Sequence, residues 1–151
     1  MSPIDREVLA ERTAAVERHL ARVAARLPPD SSAFQPGTDA SDAVLLHLWQ
    51  ATQTVIDLAT SACLHFHLGA PASYADAFER LRGAGVIDTP LAARLTAAAG
   101  FRNIVAHAYD RLDMARVYRA ASNGPADLRR FLAALSDRLA EAESPEGSTK
   151  E

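Results

Sequence analysis

The chain has 151 residues, 16 Lys and Arg against 19 Asp and Glu, and a formal net charge of −3 at neutral pH. That length suits one domain with a core that stands without disulfide or metal staples, and the charge excludes a uniformly basic nucleic-acid binder, so any phosphate contact has to come from a local cluster. Aromatic residues are only 6% of the chain, alanine and leucine dominate, and strand-type runs of Val, Ile, Thr and Tyr are missing. Propensity therefore points to an all-α fold, an antiparallel bundle of four to five helices in a single domain over 1–142, with a disordered polar tail over 143–151. The single cysteine, Cys63, has no partner for an internal disulfide, no secretory pattern opens the chain, and no apolar run approaches the roughly 18 residues that span a bilayer. A soluble cytoplasmic protein without membrane association is expected.

Ile4, Val8, Val16, Leu20, Val23 and Leu27 recur at helical spacing and predict a first helix, ended by Pro28-Pro29. The stretch from Pro28 to Ser41 has no periodicity and reads as an exposed, mobile loop. Ser41 or Asp42 is the expected cap of a second helix that runs through Val44, Leu48, Trp49, Val55 and Ile56 to Leu68, with Gly69 as its stop. This is the candidate central helix. Ser73-Tyr74-Ala75-Asp76 has the form of a capping box and opens a short helix that ends near Gly83. Thr89-Pro90 reads as a cap followed by proline at the first helical position, launching a helix toward His107 or Tyr109. Gly100 inside that helix costs about 1 kcal/mol against alanine, which suggests close packing by another backbone or a local bend. Asp113 to Ala121 is expected to be helical, with Asn123-Gly124-Pro125 separating it from a last amphipathic helix through Leu128, Phe131, Leu132, Leu135 and Leu139.

The segment Arg102-Asn103-Ile104-Val105-Ala106-His107-Ala108-Tyr109 concentrates the chemistry. At about 100° per residue, Tyr109 falls roughly 20° to one side of Arg102, with Asn103 roughly 100° and His107 roughly 140° to the other. Ala106 lies between Arg102 and Asn103 and leaves a methyl-sized gap among a cation, an amide, an imidazole and a phenol, while Ile104, Val105 and Ala108 point to the opposite arc. Histidine accepts and donates protons near neutrality. Arginine clamps a phosphate and stabilises the charge that builds on a pentavalent phosphorus. Together they suit RNA cleavage in which the ribose 2′-hydroxyl attacks the adjacent phosphate, one group removing its proton and another protonating the leaving 5′-oxygen. That reaction needs no metal and leaves a 2′,3′-cyclic phosphate. It asks for two proton-transfer groups where the motif supplies one histidine, and a two-fold dimer supplies the second. Spacing alone leaves the bland reading open: Arg102 and His107 as cations at a helix C-terminus, and Tyr109 as a packing residue.

With Arg102-Asn103 and His107, the chain resembles the HEPN superfamily, and with Tyr109 two residues after the histidine it resembles more closely the HepT-like toxin branch. The likeness extends over Tyr74-Ala75-Asp76-Ala77-Phe78, Leu81, Gly85-Val86-Ile87-Asp88 and Gly100-Phe101, covering roughly Gln50 to Leu112. The resemblance implies a dimer with a composite cleft and a metal-independent endoribonuclease without cofactor. Arg102 and His107 would carry the reaction on RNA, and Asn103 would orient or bind. It also implies pairing with a small, MntA-like nucleotidyltransferase antitoxin that transfers AMP from ATP onto Tyr109. A bulky anion beside Arg102 would occupy the phosphate site and neutralise its charge. The alternative from another class is a non-catalytic HEPN binding subunit that partners the nucleotidyltransferase.

Other polar residues read as structural. Cys63, His65 and His67 invite a metal reading but lack further ligands at matched spacing, so an interior thiol and partly buried histidines are expected. His19 and His47 each stand alone on a helix, and Trp49 reads as core or interface. Arg94, Arg111, Arg116, Arg119, Arg129 and Arg130 would form a basic rim if the last helices fold back beside the motif; the competing reading is a solvated face paired with Asp and Glu.

Overall fold

The computed structural model describes residues 4–107 and 109–142. Among them the chain forms five α-helices and no strand: α1 (Arg6–Arg26), α2 (Asp39–His65), α3 (Tyr74–Gly83), α4 (Thr89–His107) and α5 (Met114–Ala142), with 3-10 turns at Ser31–Ala33 and Tyr109–Arg111. The tail expected beyond residue 142 lies outside the described residues.

α2 is the centre of the bundle and packs against the other four helices. α1 runs antiparallel to it, since Val8 lies near Leu58 while His19 meets His47. α4 and α5 are likewise antiparallel, with Arg94 bound to Asp127 and Arg116 placed over Phe101. The larger core cluster joins all five helices around Phe78 and Phe131, whose rings meet edge-on at 6.0 Å and 89°. A smaller cluster of Val23, Phe34, Val44, Leu48, Val105 and Val117 closes the other end and holds the last turns of α4. The Arg102 motif is therefore mounted on the smaller of the two cores.

Several local expectations are corrected. α2 starts earlier than its apolar stripe: Thr38 is the cap, its hydroxyl accepting from the Ser41 amide at 3.1 Å while Ser41 Oγ accepts from the Thr38 amide at 3.2 Å. This leaves Asp39 and Asp42 in the first turn, where the helix dipole favours them. The first left-handed residue after α2 is His67 (φ 58°), so the helix stops before Gly69 in a Schellman arrangement, with the Leu68 amide donating to the Cys63 carbonyl at 2.8 Å. The cap of α4 is Asp88, which accepts from the Leu91 amide at 2.9 Å, and Thr89 is already helical. Among the described residues a Cβ built on Gly100 meets nothing within 4 Å, so no neighbouring backbone there requires that glycine. The Pro28 to Ser41 segment is mostly exposed, as expected, but it is anchored: Phe34 is buried, its ring meets that of Tyr118, and the Tyr118 hydroxyl donates to the Pro28 carbonyl at 2.7 Å.

The largest departure is α5, which continues through Asn123-Gly124-Pro125. Proline here removes one backbone donor and crowds the carbonyl four residues back, costing about 3 kcal/mol in a helix interior. Burial of one continuous stripe, Val117 and Ala121 before the proline and Leu128, Phe131 and Leu132 after it, outweighs that cost. Pro125→Ala is accordingly expected to raise stability by about 1–3 kcal/mol, read as a higher urea midpoint with an unchanged slope. A lower midpoint would mean that the proline ring itself is needed for packing.

Candidate functional site

Arg102 rises from the last turns of α4 and lies half-buried between two aromatic rings, its guanidinium carbon 4.9 Å from the Trp49 ring centre and 5.7 Å from that of Tyr74. Both rings come from other helices: Trp49 from α2, Tyr74 from the first turn of α3. Asn103 Oδ1 accepts from Arg102 Nη1 at 2.7 Å, and the Arg102 Nε is buried with no hydrogen-bond partner among the described residues. No carboxylate pairs with Arg102 among the described residues. A guanidinium stacked on π-faces, oriented by one amide and left un-neutralised keeps its charge available to an incoming anion.

His107 closes α4 and is exposed. It lies five residues after Arg102, a rise of about 7.5 Å along the helix. Tyr109 leaves the helix, which stops at His107, so its position is set by the following 3-10 turn rather than by the helical wheel. Its hydroxyl donates to Asp42 Oδ1 at 2.6 Å and ties the end of α4 to the first turn of α2. That hydrogen bond, together with partial burial and the negative charges of Asp42 and Asp110, holds the phenol above its usual pKa. Between these elements runs an open groove of about 470 Å³, lined by Asp42, Leu45, Leu46, Trp49, Ala106 and Tyr109, among others. Ala106 lines this groove, but of the four groups expected around it only Tyr109 does so, and Val105, expected on the opposite arc, lines it as well. Of the expected opposite arc, Val105 is buried but Ile104 is 37% exposed, and Leu46 across the groove is 54% exposed. Ala108 lies outside the described residues.

The structure also corrects the minor expectations. His19 and His47 are not alone: their Nδ1 atoms stand 2.9 Å apart between α1 and α2, and burial with the nearby Arg22 lowers both pKa values. His65 and His67 are exposed rather than partly buried. Cys63 is interior as expected, its thiol donating to the Ala77 carbonyl at 3.4 Å and its pKa raised by burial. The basic rim is divided: Arg129 binds Glu17 and Arg94 binds Asp127, whereas Arg116 and Arg119 make no ion pair among the described residues. Two participants were not foreseen, the aromatic seat of Arg102 and the Asp42 partner of Tyr109. Asp42 and Tyr109 are 67 positions apart, and no local signal connects them.

In its helices and in the shape of the bundle the chain is similar to the tri-AMPylated HEPN toxin of Shewanella oneidensis solved in complex with its MNT antitoxin. The TM-score is 0.79, at 26% identity over 88% of this chain and 99% of that one. Residues 16–135 match the family described as ribonuclease HepT-like, and the chain belongs to that family. It is 27% identical over 126 residues to the mRNA nuclease HepT of Shewanella oneidensis, covering 83% of this chain and 94% of that protein. YutE of Bacillus subtilis, a cytosolic protein of unknown function, shares the fold with a TM-score of 0.79 over 96% of this chain and 97% of that one, and at 18% identity the likeness concerns the fold alone. Among the described residues no helix is long and apolar enough to cross a membrane.

Proposed function

We propose that this protein is the ribonuclease toxin of a toxin–antitoxin pair, acting on RNA in the cytoplasm. The observation that carries the reading is Arg102, seated on Trp49 and Tyr74 without a carboxylate partner among the described residues and followed five residues later by an exposed histidine. In this reading Arg102 binds the scissile phosphate and stabilises its developing charge. Asn103 keeps the guanidinium in register through their 2.7 Å hydrogen bond. His107 moves protons: one histidine takes the 2′-hydroxyl proton as that oxygen bonds to phosphorus, and the two-fold mate's histidine gives a proton to the departing 5′-oxygen. The exposed Leu46 and Ile104 beside the motif supply apolar surface for such a homodimer. No step calls for a metal, since attacking and leaving oxygens belong to the RNA. Purified protein is expected to cleave RNA in EDTA and leave 2′,3′-cyclic phosphate ends; cleavage that needs added divalent metal would overturn the mechanism.

Tyr109 is the acceptor of AMP from a nucleotidyltransferase antitoxin. The Shewanella oneidensis HEPN toxin, tri-AMPylated in complex with its MNT antitoxin, supports this regulation. AMP on Tyr109 would stand in the groove beside Trp49, whose ring carries Arg102, and would set a phosphate anion against the cation that RNA needs. As the Tyr109 oxygen bonds to the α-phosphorus of ATP and pyrophosphate leaves, the phenol proton has an acceptor in Asp42. Asp42→Asn is expected to bring the Tyr109 pKa down toward about 10, seen by ring-selective NMR titration, and yet to slow AMP transfer. An unchanged transfer rate would remove Asp42 from the step.

A further inference from the structure

A cavity of about 390 Å³ lies between α4 and α5, reaches Leu48 and Thr52 of α2, and shares no lining residue with the groove beside Tyr109. It exists because short side chains face one another: Ala97 and Ala98 on α4, Ala120 and Gly124 on α5. A Cβ built on Gly124 meets nothing within 4 Å, so the space is open at that point. The result is a floor of small apolar residues with Phe101 beside it, and the volume falls within the range of about 300–1,000 Å³ usual for small-molecule sites.

Cations surround this floor. Arg94 is held by Asp127 at 2.8 Å, and Arg116 lies over the Phe101 ring at 5.8 Å. Neither Arg116 nor Arg119 has a carboxylate partner among the described residues. Asn123 and Asp127 add an amide and an acceptor at the rim. A purely apolar ligand would leave the cations unused, and a simple anion would leave the floor bare. One ligand chemistry uses both: a flat ring with polar edges, carrying a phosphate. The ring covers the floor against Phe101, its edge meets Asn123 and Asp127, and the phosphate takes the two unpaired guanidinium groups.

We infer that this cavity is a binding subsite for one nucleoside phosphate, either free or as a nucleotide of an RNA strand. In the second form it rests on the ribonuclease reading, and α4 itself links the two sites, because Phe101 in the wall directly precedes Arg102.

The test titrates the His107→Ala protein with nucleoside monophosphates, inorganic phosphate and a short single-stranded oligoribonucleotide, following the amide resonances of Asn123 and Gly124. Nucleoside monophosphates are expected to shift both. Arg116→Glu combined with Arg119→Glu, at exposed positions, is expected to weaken binding about tenfold or more. Gly124→Leu fills the floor and leaves the cations in place, so it is expected to abolish nucleotide binding while inorganic phosphate still binds. Equal affinity for monophosphate and oligonucleotide identifies a free nucleotide as the ligand; an oligonucleotide at least tenfold tighter, and lost in the same variants, identifies the strand. Resonances that stay still at millimolar nucleotide, or variants that bind like the parent, would overturn the inference. Cleavage by the wild type without binding in this cavity refutes the subsite and leaves the ribonuclease reading standing. Binding without cleavage does the reverse.

Discussion

Replacing His107 with alanine is expected to lower the rate of RNA cleavage by about 10²–10⁴-fold, the usual contribution of a positioned proton-transfer group. The loss should appear in kcat more than in KM, because the proton moves only in the transition state. His107 is exposed at the end of α4, so its removal should change stability by no more than about 0.5 kcal/mol, and a thermal melt separates lost chemistry from lost fold. Arg102→Ala is expected to cost about 10²–10³-fold, and Arg102→Lys should recover little of it. A lysine keeps the charge but not the planar group that stacks on Trp49 and Tyr74 while donating to Asn103. The double variant should be close to the worse single one, since the two groups act on the same phosphate. Cleavage by His107→Ala at the parental rate would leave the non-catalytic partner subunit as the better reading.

Phe131→Ala is expected to be the most damaging simple core change, at about 3–5 kcal/mol. Phe131 is fully buried, and its ring meets Phe78, itself 1% exposed, edge-on at the join of α3 and α5. A loss of that size is a large part of the roughly 5–15 kcal/mol available to a domain and should be visible as a reduced urea midpoint. The cycle with Phe78→Ala should show a coupling of about 0.5–1.5 kcal/mol from the ring pair. Cleavage per folded molecule should survive, because the motif is mounted on the separate cluster around Val105, Leu48 and Val117. Strictly additive effects of the two substitutions would deny the ring pair any energy beyond its burial.

The helices were legible where their signals are short-ranged. Periodic apolar residues locate α1, α2 and α4 within a few positions, and Ser73 caps α3 through its hydroxyl, which accepts from the Asp76 amide at 3.0 Å. The misreadings come from places where local preference and burial disagree. Asn123-Gly124-Pro125 is a strong local breaker, yet the apolar stripe resumes in phase beyond it and the helix persists. Phe34 is one apolar residue in a polar loop, a weak signal along the chain, but it seats the loop against Tyr118.

The motif follows the same division. Residue identity and spacing along α4 are enough to set a cation, an amide and an imidazole along two turns of one helix with the small Ala106 among them, because a helix is governed by contacts three and four residues apart. The type of fold follows from composition and periodicity for the same reason. Tertiary packing alone decides that Arg102 lies on rings from α2 and α3, that Tyr109 bonds to Asp42, and that small residues of α4 and α5 leave a cavity beside Arg116 and Arg119, which make no ion pair among the described residues. Those contacts join residues far apart in the chain, and their energies depend on which helix faces meet and which charges are removed from water. Neither quantity is encoded in any single window of the sequence.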